Sequence, residues 1–405
     1  MSAAFTHTPE ELAVLGMASK RRDDLVVFAG RANGRLIDNV KYLYLRAATR
    51  DYGFEPWFFT MVPEEHTMLR EAGLPVLTMD SHGIKLLTSA GALVMDDLPA
   101  NSNAAYLLCL GAEKIQLWHG IPLKMIGFPE AESPVNMTPE KAAWLKRAYS
   151  ACDIVASTSP WVTRELFSKV FRAREFMEHG YPRNDVLLRS PEKYDFCNAD
   201  AECYHMLKKH RRSGGRVVLY MPTFRDTGLD FLGEDGVPVL KPALLSAFAR
   251  KHNLIFLLKL HPYVDDARLS AVPGILRYPS HQDIYPLLPL ADFLVTDYSS
   301  VYFDFLLLDR PILFFAYDLA RYLDNDRAMF FEYESMCPGP VATTQEALLD
   351  NLAGLLEGGG DAHSRARTAL RNKLFAHHDA EASDRICRHL QKILKQPASP
   401  DNAFP

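Results

Sequence analysis

The sequence predicts an α/β protein built as two doubly wound parallel sheets, one in each half of the chain and facing a central cleft. Three observations carry this. Short runs of β-branched and aromatic residues alternate with segments of helical period through most of the 405 residues, the pattern of parallel strands joined by crossover helices. The alternation breaks once and restarts, which separates two domains. At 48% hydrophobic residues, the chain is too long for one ordinary core and apolar enough for two.

In the first half the strand candidates are LVVFAG (25–30), WFFTMV (57–62), PVLTM (75–79), ALVMDD (92–97), KIQLWHG (114–120) and DIVASTS (153–159). Helical segments separate most of them, as in PEKAAWLKRAYSACD (139–153). Turn formers and charges then interrupt the pattern in EHGYPRNDVLLRSPEKYDF, which predicts a linker near 185–200 and domains over 1–190 and 191–405. The second half resumes with RVVLYMP (216–222), LIFLLKL (254–260), FLVTDYS (293–299) and PILFFAY (311–317), and ends in helical segments from about 345 to 396. Ligands in sheets of this kind lie outside the carboxyl ends of the strands.

A net charge of -5 excludes general polyanion binding, nucleic acid included, and leaves KKHRR (208–212) and SKRRDD (19–24) as local basic faces. The six cysteines have no Cys-x-x-Cys spacing and read as reduced residues of a cytoplasmic protein without a zinc cluster. The opening MSAAFTHTPEELAVLG lacks a signal peptide's basic start and apolar core, and no apolar run approaches a membrane span.

The chemically loaded residues follow directly on apolar strands. His119 stands next to last in KIQLWHG, where Gly120 permits a positive φ or close approach and Pro122 sets the following turn. An imidazole titrates near neutrality and suits removal of a proton from a hydroxyl. Lys124 reads equally as a counter-charge for phosphate or as a helix cap. In TDYSSVYFDF the pair Ser299 and Ser300 stands at a helix start, open to reading as N-cap or phosphate site. Asp304, one turn on, reads as a ribose contact or a solvated acid. Thr223 and Arg225 close YMPTFRD, where a guanidinium fork suits two phosphate oxygens and a surface arginine is the alternative. KLHP adds Lys259 and His261. No acidic pair resembles a glycosidase, no Asp-x-Asp cluster suggests a nucleotide-bound metal, and NGRLIDN lacks the full dinucleotide glycine signature. The composite points to a transferase needing neither metal nor cofactor that handles a nucleotide diphosphate.

WHGIPLKMIG, GYPRNDVLL, YMPTFRD, KLHP and VTDYSSVYFDFLLLDRPILFFAYD together resemble the CDP-glycerol glycerophosphotransferases of teichoic-acid and capsule synthesis, with similarity running from FAGRANGRLIDNVKYLY near residue 25 to about residue 350. The resemblance implies a GT-B fold. It implies CDP-glycerol, or a related CDP-alditol, as donor, and a hydroxyl of a lipid-linked or glycerol-phosphate acceptor, reached at the cytoplasmic face of the membrane. His119 then corresponds to the base and His261 to a histidine beside the donor phosphates. Thr223, Arg225, Lys259, Ser299 and Ser300 fall to the donor diphosphate and Asp304 to the ribose. Gly120, Lys124, Asn33, Asn39 and Arg183 fall to the acceptor or to support of the site. Ile121 replaces the threonine usual in the first motif, and AGRANGR departs from the usual serine-containing opening. The length is that of a bare catalytic unit, which fits addition of one or few units. Two other readings share these residues: a GT-B glycosyltransferase using a UDP- or GDP-sugar, and a donor-binding component of a capsule complex without turnover.

Overall fold

The structure, a computed structural model, describes residues 8–98, 104–225, 231, 239–260, 272–358 and 360–395. Two compact units form. The first comprises Met1–His119, Ala143–Asn198 and Ala376–Pro405, and the second Gly120–Ala142 and Ala199–Phe375. The chain therefore does not divide at one point near residue 190.

In the first unit the strands are β1 (Arg22–Ala29), β2 (Glu55–Phe59), β3 (Val76–Leu77), β4 (Ala90–Met95), β5 (Glu113–Gln116), β6 (Ile154–Ala156) and β7 (Glu175–Met177). They form one parallel sheet in the order β3-β2-β1-β4-β5-β6-β7. Alternation along β1 sends Val26 and Phe28 into one core layer and Leu25, Val27 and Ala29 into the other, as expected for a strand covered on both faces. The first layer packs under the helix Asp38–Thr49 through Val40, Leu43, Tyr44 and Ala47. It is completed by the last helix, Ala382–Leu394, whose Ile386, Cys387, Leu390 and Leu394 form a single apolar face. Buried Asp185 accepts the amides of Ala382 and Ser383, both at 2.9 Å, and so caps that helix with a carboxylate at its positive end.

The segment 185–200 is not an exposed linker. Short helical turns at Pro182–Asn184, Asp185–Leu188 and Lys193–Phe196 bury Arg183, Val186 and Asp195, and Lys41 donates to the Asp195 carbonyl at 2.7 Å. Its turn formers and charges serve internal ion pairs such as Arg189 with Asp195, which composition alone does not distinguish from a solvated link.

The second unit holds β8 (Arg216–Met221), β9 (Leu254–Leu258), β10 (Ile275–Arg277), β11 (Phe293–Thr296), β12 (Ile312–Phe315) and β13 (Val341–Ala342), parallel in the order β10-β9-β8-β11-β12-β13. In both sheets the winding reverses once, between β1 and β4 in the first and between β8 and β11 in the second. Side chains just past these four strands occupy the crevice where doubly wound sheets hold ligands. Strands β7, β10 and β13, each two or three residues long, lie outside the sequence-predicted set; β3 and β6 are as short but stand in longer apolar runs, PVLTM and DIVASTS. The sequence-predicted strands also ran several residues too far at their carboxyl ends: Trp118 to Gly120 and Asp297 to Ser299 leave the sheet and form loops.

Candidate active site

At the reversal of the first sheet, β1 gives way to Gly30-Arg31-Ala32-Asn33-Gly34 and β4 to Asp96, while β5, next to β4, leads into Trp118 and His119. Non-glycine residues with positive φ gather here: Ala32 at 52°, Asn33 at 65°, Asp38 at 63° and Trp118 at 55°. Each is a conformation L-residues avoid, and such strain persists where surrounding contacts over-determine it. Gly120, at φ 144°, completes the turn.

Those contacts form a closed ring. The His119 ring nitrogen Nδ1 lies 3.1 Å from the Asp96 carbonyl. The Asp96 side chain accepts the Arg31 amide at 3.1 Å. The Arg31 guanidinium donates to Asp38 Oδ2 at 2.9 Å, and Asp38 Oδ1 receives Arg183 Nη1 at 2.5 Å. The same Nη1 reaches the His119 carbonyl at 2.8 Å. A second strap runs alongside: Asn39 Nδ2 donates to the Trp118 carbonyl at 2.8 Å, and Asn39 Oδ1 accepts the Arg183 amide at 3.1 Å.

The ring decides the protonation of His119. A carbonyl only accepts, so Nδ1 carries the proton and Nε2 is left with its lone pair. Burial and then the nearby Arg31 charge disfavour the imidazolium, and although Asp38 opposes them, the pKa falls to about 4. At neutral pH the residue is a neutral proton acceptor, and among the described residues nothing hydrogen-bonds Nε2. The indole of Trp118 stacks on the ring, with centroids 4.1 Å apart and planes at 29°. Asp96 is the counterpart: burial, with the Asp38 charge behind it, pushes its carboxyl up to about 8, and Oδ2 is buried without a partner. Burial alone would also raise Asp38, but the guanidiniums of Arg183 and Arg31 outweigh it and hold that carboxyl ionised.

At the reversal of the second sheet, Asp297 joins the two loops. Its Oδ1 accepts the Thr223 amide at 2.7 Å and its Oδ2 receives Arg225 Nη1 at 2.8 Å. Arg225 is wholly buried. It also grips Asp318 with Nε at 2.8 Å and Nη2 at 2.9 Å, donates to the Thr223 carbonyl at 2.5 Å, and sits 4.9–5.3 Å from the rings of Tyr298, Tyr317 and Tyr322. The guanidinium expected to face a diphosphate is thus bonded to two carboxylates and to the carbonyl of Thr223 in its own loop. Lys259 is likewise turned inward: its ammonium donates to the carbonyls of Pro279, Ser280 and Gln282 at 2.7, 3.0 and 2.5 Å. Asp304 is buried and accepts the Tyr285 hydroxyl at 2.8 Å.

Thr223, Ser299 and Ser300 behave differently. Ser300 precedes the short helix Val301–Phe305 yet makes no side-chain cap, and neither serine hydroxyl meets a protein partner among the described residues. Both serines are half-buried, and Thr223 Oγ1 is buried with no partner. Among the described residues, three hydroxyls at this sheet reversal are therefore uncommitted.

Of the residues singled out from sequence, His119, Gly120, Asn39 and Arg183 meet at one turn. Asn39 and Arg183 serve as its fasteners, while Asn33 stands exposed on the left-handed loop. Lys124 falls in the second unit, paired across an antiparallel bridge with Met329; His261 lies outside the described residues. Sequence reasoning passed over Asp38, Asp96 and Asn184. Asp96 closes an apolar strand just as His119 does, a signal present in ALVMDD. Asn184 is buried with both amide atoms unpartnered, which only the tertiary structure reveals. Among the described residues no group of side chains is arranged to hold a metal ion, and no helix is long and apolar enough to cross a membrane.

Comparison with known proteins agrees with this architecture. Residues 13–392 match the family model described as CDP-Glycerol:Poly(glycerophosphate) glycerophosphotransferase. A teichoic acid glycerol-phosphate transferase of Staphylococcus aureus is 31% identical over 290 residues, 69% of this chain and 71% of that protein. A teichoic acid poly(glycerol phosphate) polymerase of Bacillus spizizenii is 34% identical over 250 residues, 58% of this chain and 59% of its own length. The solved wall teichoic acid polymerase TagF superposes with a TM-score of 0.73 at 23% identity, covering 96% of this chain and 94% of that one, so the two share the GT-B fold. This chain belongs to the CDP-glycerol:poly(glycerophosphate) glycerophosphotransferase family.

Proposed function

We propose that this protein transfers glycerol phosphate from CDP-glycerol to a hydroxyl of a lipid-linked or glycerol-phosphate-ended acceptor and releases CMP. Family membership supports the donor and the bond made. The observation that carries the chemistry is the neutral His119, fixed with Nδ1–H on the Asp96 carbonyl and Nε2 open. Nε2 takes the acceptor's hydroxyl proton as that oxygen bonds to the phosphorus bearing glycerol. The bond from this phosphorus to the bridging oxygen of the diphosphate breaks, and CMP leaves with its electron pair. Acceptor activation is assigned to the first unit. Donor phosphate contacts are assigned to Thr223, Ser299 and Ser300 of the second, with His261 keeping the role implied by its motif. A lipid-linked acceptor would place the protein peripherally on the cytoplasmic face of the membrane.

The test is CMP release from CDP-glycerol with a glycerol-phosphate-primed acceptor, with CDP-ribitol and UDP-sugars alongside, for wild type and His119→Ala. Removal of a general base costs roughly 10²–10⁴-fold in turnover, with donor affinity retained. Turnover by His119→Ala within threefold of wild type would remove the base assignment. Release of UDP from a sugar, with none of CMP, would move the protein to the glycosyltransferases.

A further inference from the structure

We propose that Asp38 and Arg183 are positioning residues for His119: their ion pair holds the His119 carbonyl from one side and, through Arg31 and Asp96, its imidazole from the other. The proposal rests on the reading of His119 as the base. Its geometric ground is the ring already described, in which every link is between 2.5 and 3.1 Å. Asp38 and Arg183 are 5% and 3% exposed, so the pair is desolvated and directional. A residue as bulky as Trp118 adopts left-handed backbone only where neighbours compel it, and the two carbonyls that bracket the His119 backbone, those of Trp118 and His119, are the ones held by Asn39 and Arg183.

The charged groups facing His119 come from three elements, Arg31 from the loop after β1, Asp38 from the start of the following helix and Arg183 from the turn Pro182–Asn184, and the end of β4 adds the Asp96 backbone carbonyl, whose own titratable carboxyl is pushed up to about 8. Asp38 favours the imidazolium, whereas Arg31 and Arg183 disfavour it. Removing charges of opposite sign should therefore move the His119 titration in opposite directions, which loss of packing alone would not do.

The experiment combines steady-state kinetics of CMP release with imidazole NMR on the full chain, for wild type, Asp38→Asn, Arg183→Lys and Arg31→Gln. Asp38→Asn and Arg183→Lys should lower kcat by about 100-fold, the scale of a small misplacement of a catalytic group, with the KM for CDP-glycerol within threefold of wild type. Arg31→Gln, whose side chain is partly exposed and folds most readily, should move the acid limb of kcat/KM and the NMR titration of His119 upward, while Asp38→Asn moves both downward. The Nδ1–H tautomer should dominate in wild type and be lost in Arg183→Lys. Unchanged tautomer and titration in all three variants would overturn the proposal even if activity fell. Full activity in His119→Ala would instead overturn the base reading, and the NMR result would stand apart from it.

Discussion

Replacing Arg225 by alanine separates two roles that the sequence leaves open, donor ligand and internal fastener. The side chain is fully buried and holds both Asp297 and Asp318. Truncation takes the guanidinium from two carboxylates, each 1% exposed, and leaves Asp318 only its Arg321 ion pair at 2.9 Å. Removing one partner of a buried pair costs about 3–5 kcal/mol. For a unit of this size each kcal/mol lowers Tm by about 2–4 °C, so the second unit should melt roughly 10 °C lower, within a span of about 6–20 °C. The pH dependence has a definite sign. In the wild type burial would raise Asp318, but Arg225 outweighs it and holds the carboxyl below its usual range. That contribution is present above the unfolded pKa and is lost as pH falls through the folded one. In the variant the folded pKa moves up toward the unfolded one, with Arg321 and Tyr298 still donating to the carboxyl, so less of that contribution remains. The gap between wild type and variant is therefore full at pH 7 and begins to close as pH approaches 4. Differential scanning calorimetry across that range measures it. A variant that melts within 2 °C of wild type at pH 7 while losing CDP-glycerol binding would refute the fastener role and restore direct phosphate contact.

Other outcomes follow from the same geometry. Ser299→Ala and Ser300→Ala, which lose no protein hydrogen bond, should leave Tm within about 1 °C, yet weaken CDP-glycerol binding in titration calorimetry by about 10-fold or more each, the worth of a hydrogen bond to a charged group. Unchanged affinity in both would take the diphosphate away from this loop. Because His119 works in its neutral form and titrates at about 4, kcat/KM should be flat from pH 6 to 8 on its acid side and fall only as pH drops through that value; a limb at 6.5 would mean that the imidazole is solvated in the working enzyme. Gly34→Ala meets φ 87° with its added carbon 2.5 Å from the Phe59 carbonyl oxygen and 2.7 Å from Thr60 Cα. Backbone cannot yield as a side chain can, so urea unfolding should show a loss of about 2–4 kcal/mol.

What the sequence determined by itself was the fold class, the place of the long strands along the chain and the polar loops that follow them. Hydrophobic period and turn chemistry are local properties, and LVVFAG, KIQLWHG and FLVTDYS state them within a few residues. The same locality places His119, Ser299 and Ser300 just past apolar strands, at the side where doubly wound sheets bind ligands. The tertiary structure alone decided how each polar side chain is spent. Arg225, Lys259 and Ser300 have similar sequence contexts, a polar residue after a buried strand, yet two are consumed by carboxylates or carbonyls and one is not. That outcome depends on partners such as Asp318, 93 residues away from Arg225. The His119 ring is likewise non-local, since Arg183 reaches Asp38 across 145 residues. Burial turns these distant pairs into strong effects, because a charge removed from water must find its opposite wherever the chain returns. The division into units is decided in the same way: the last helix joins the first unit because its apolar face completes that core and Asp185 caps its first turn.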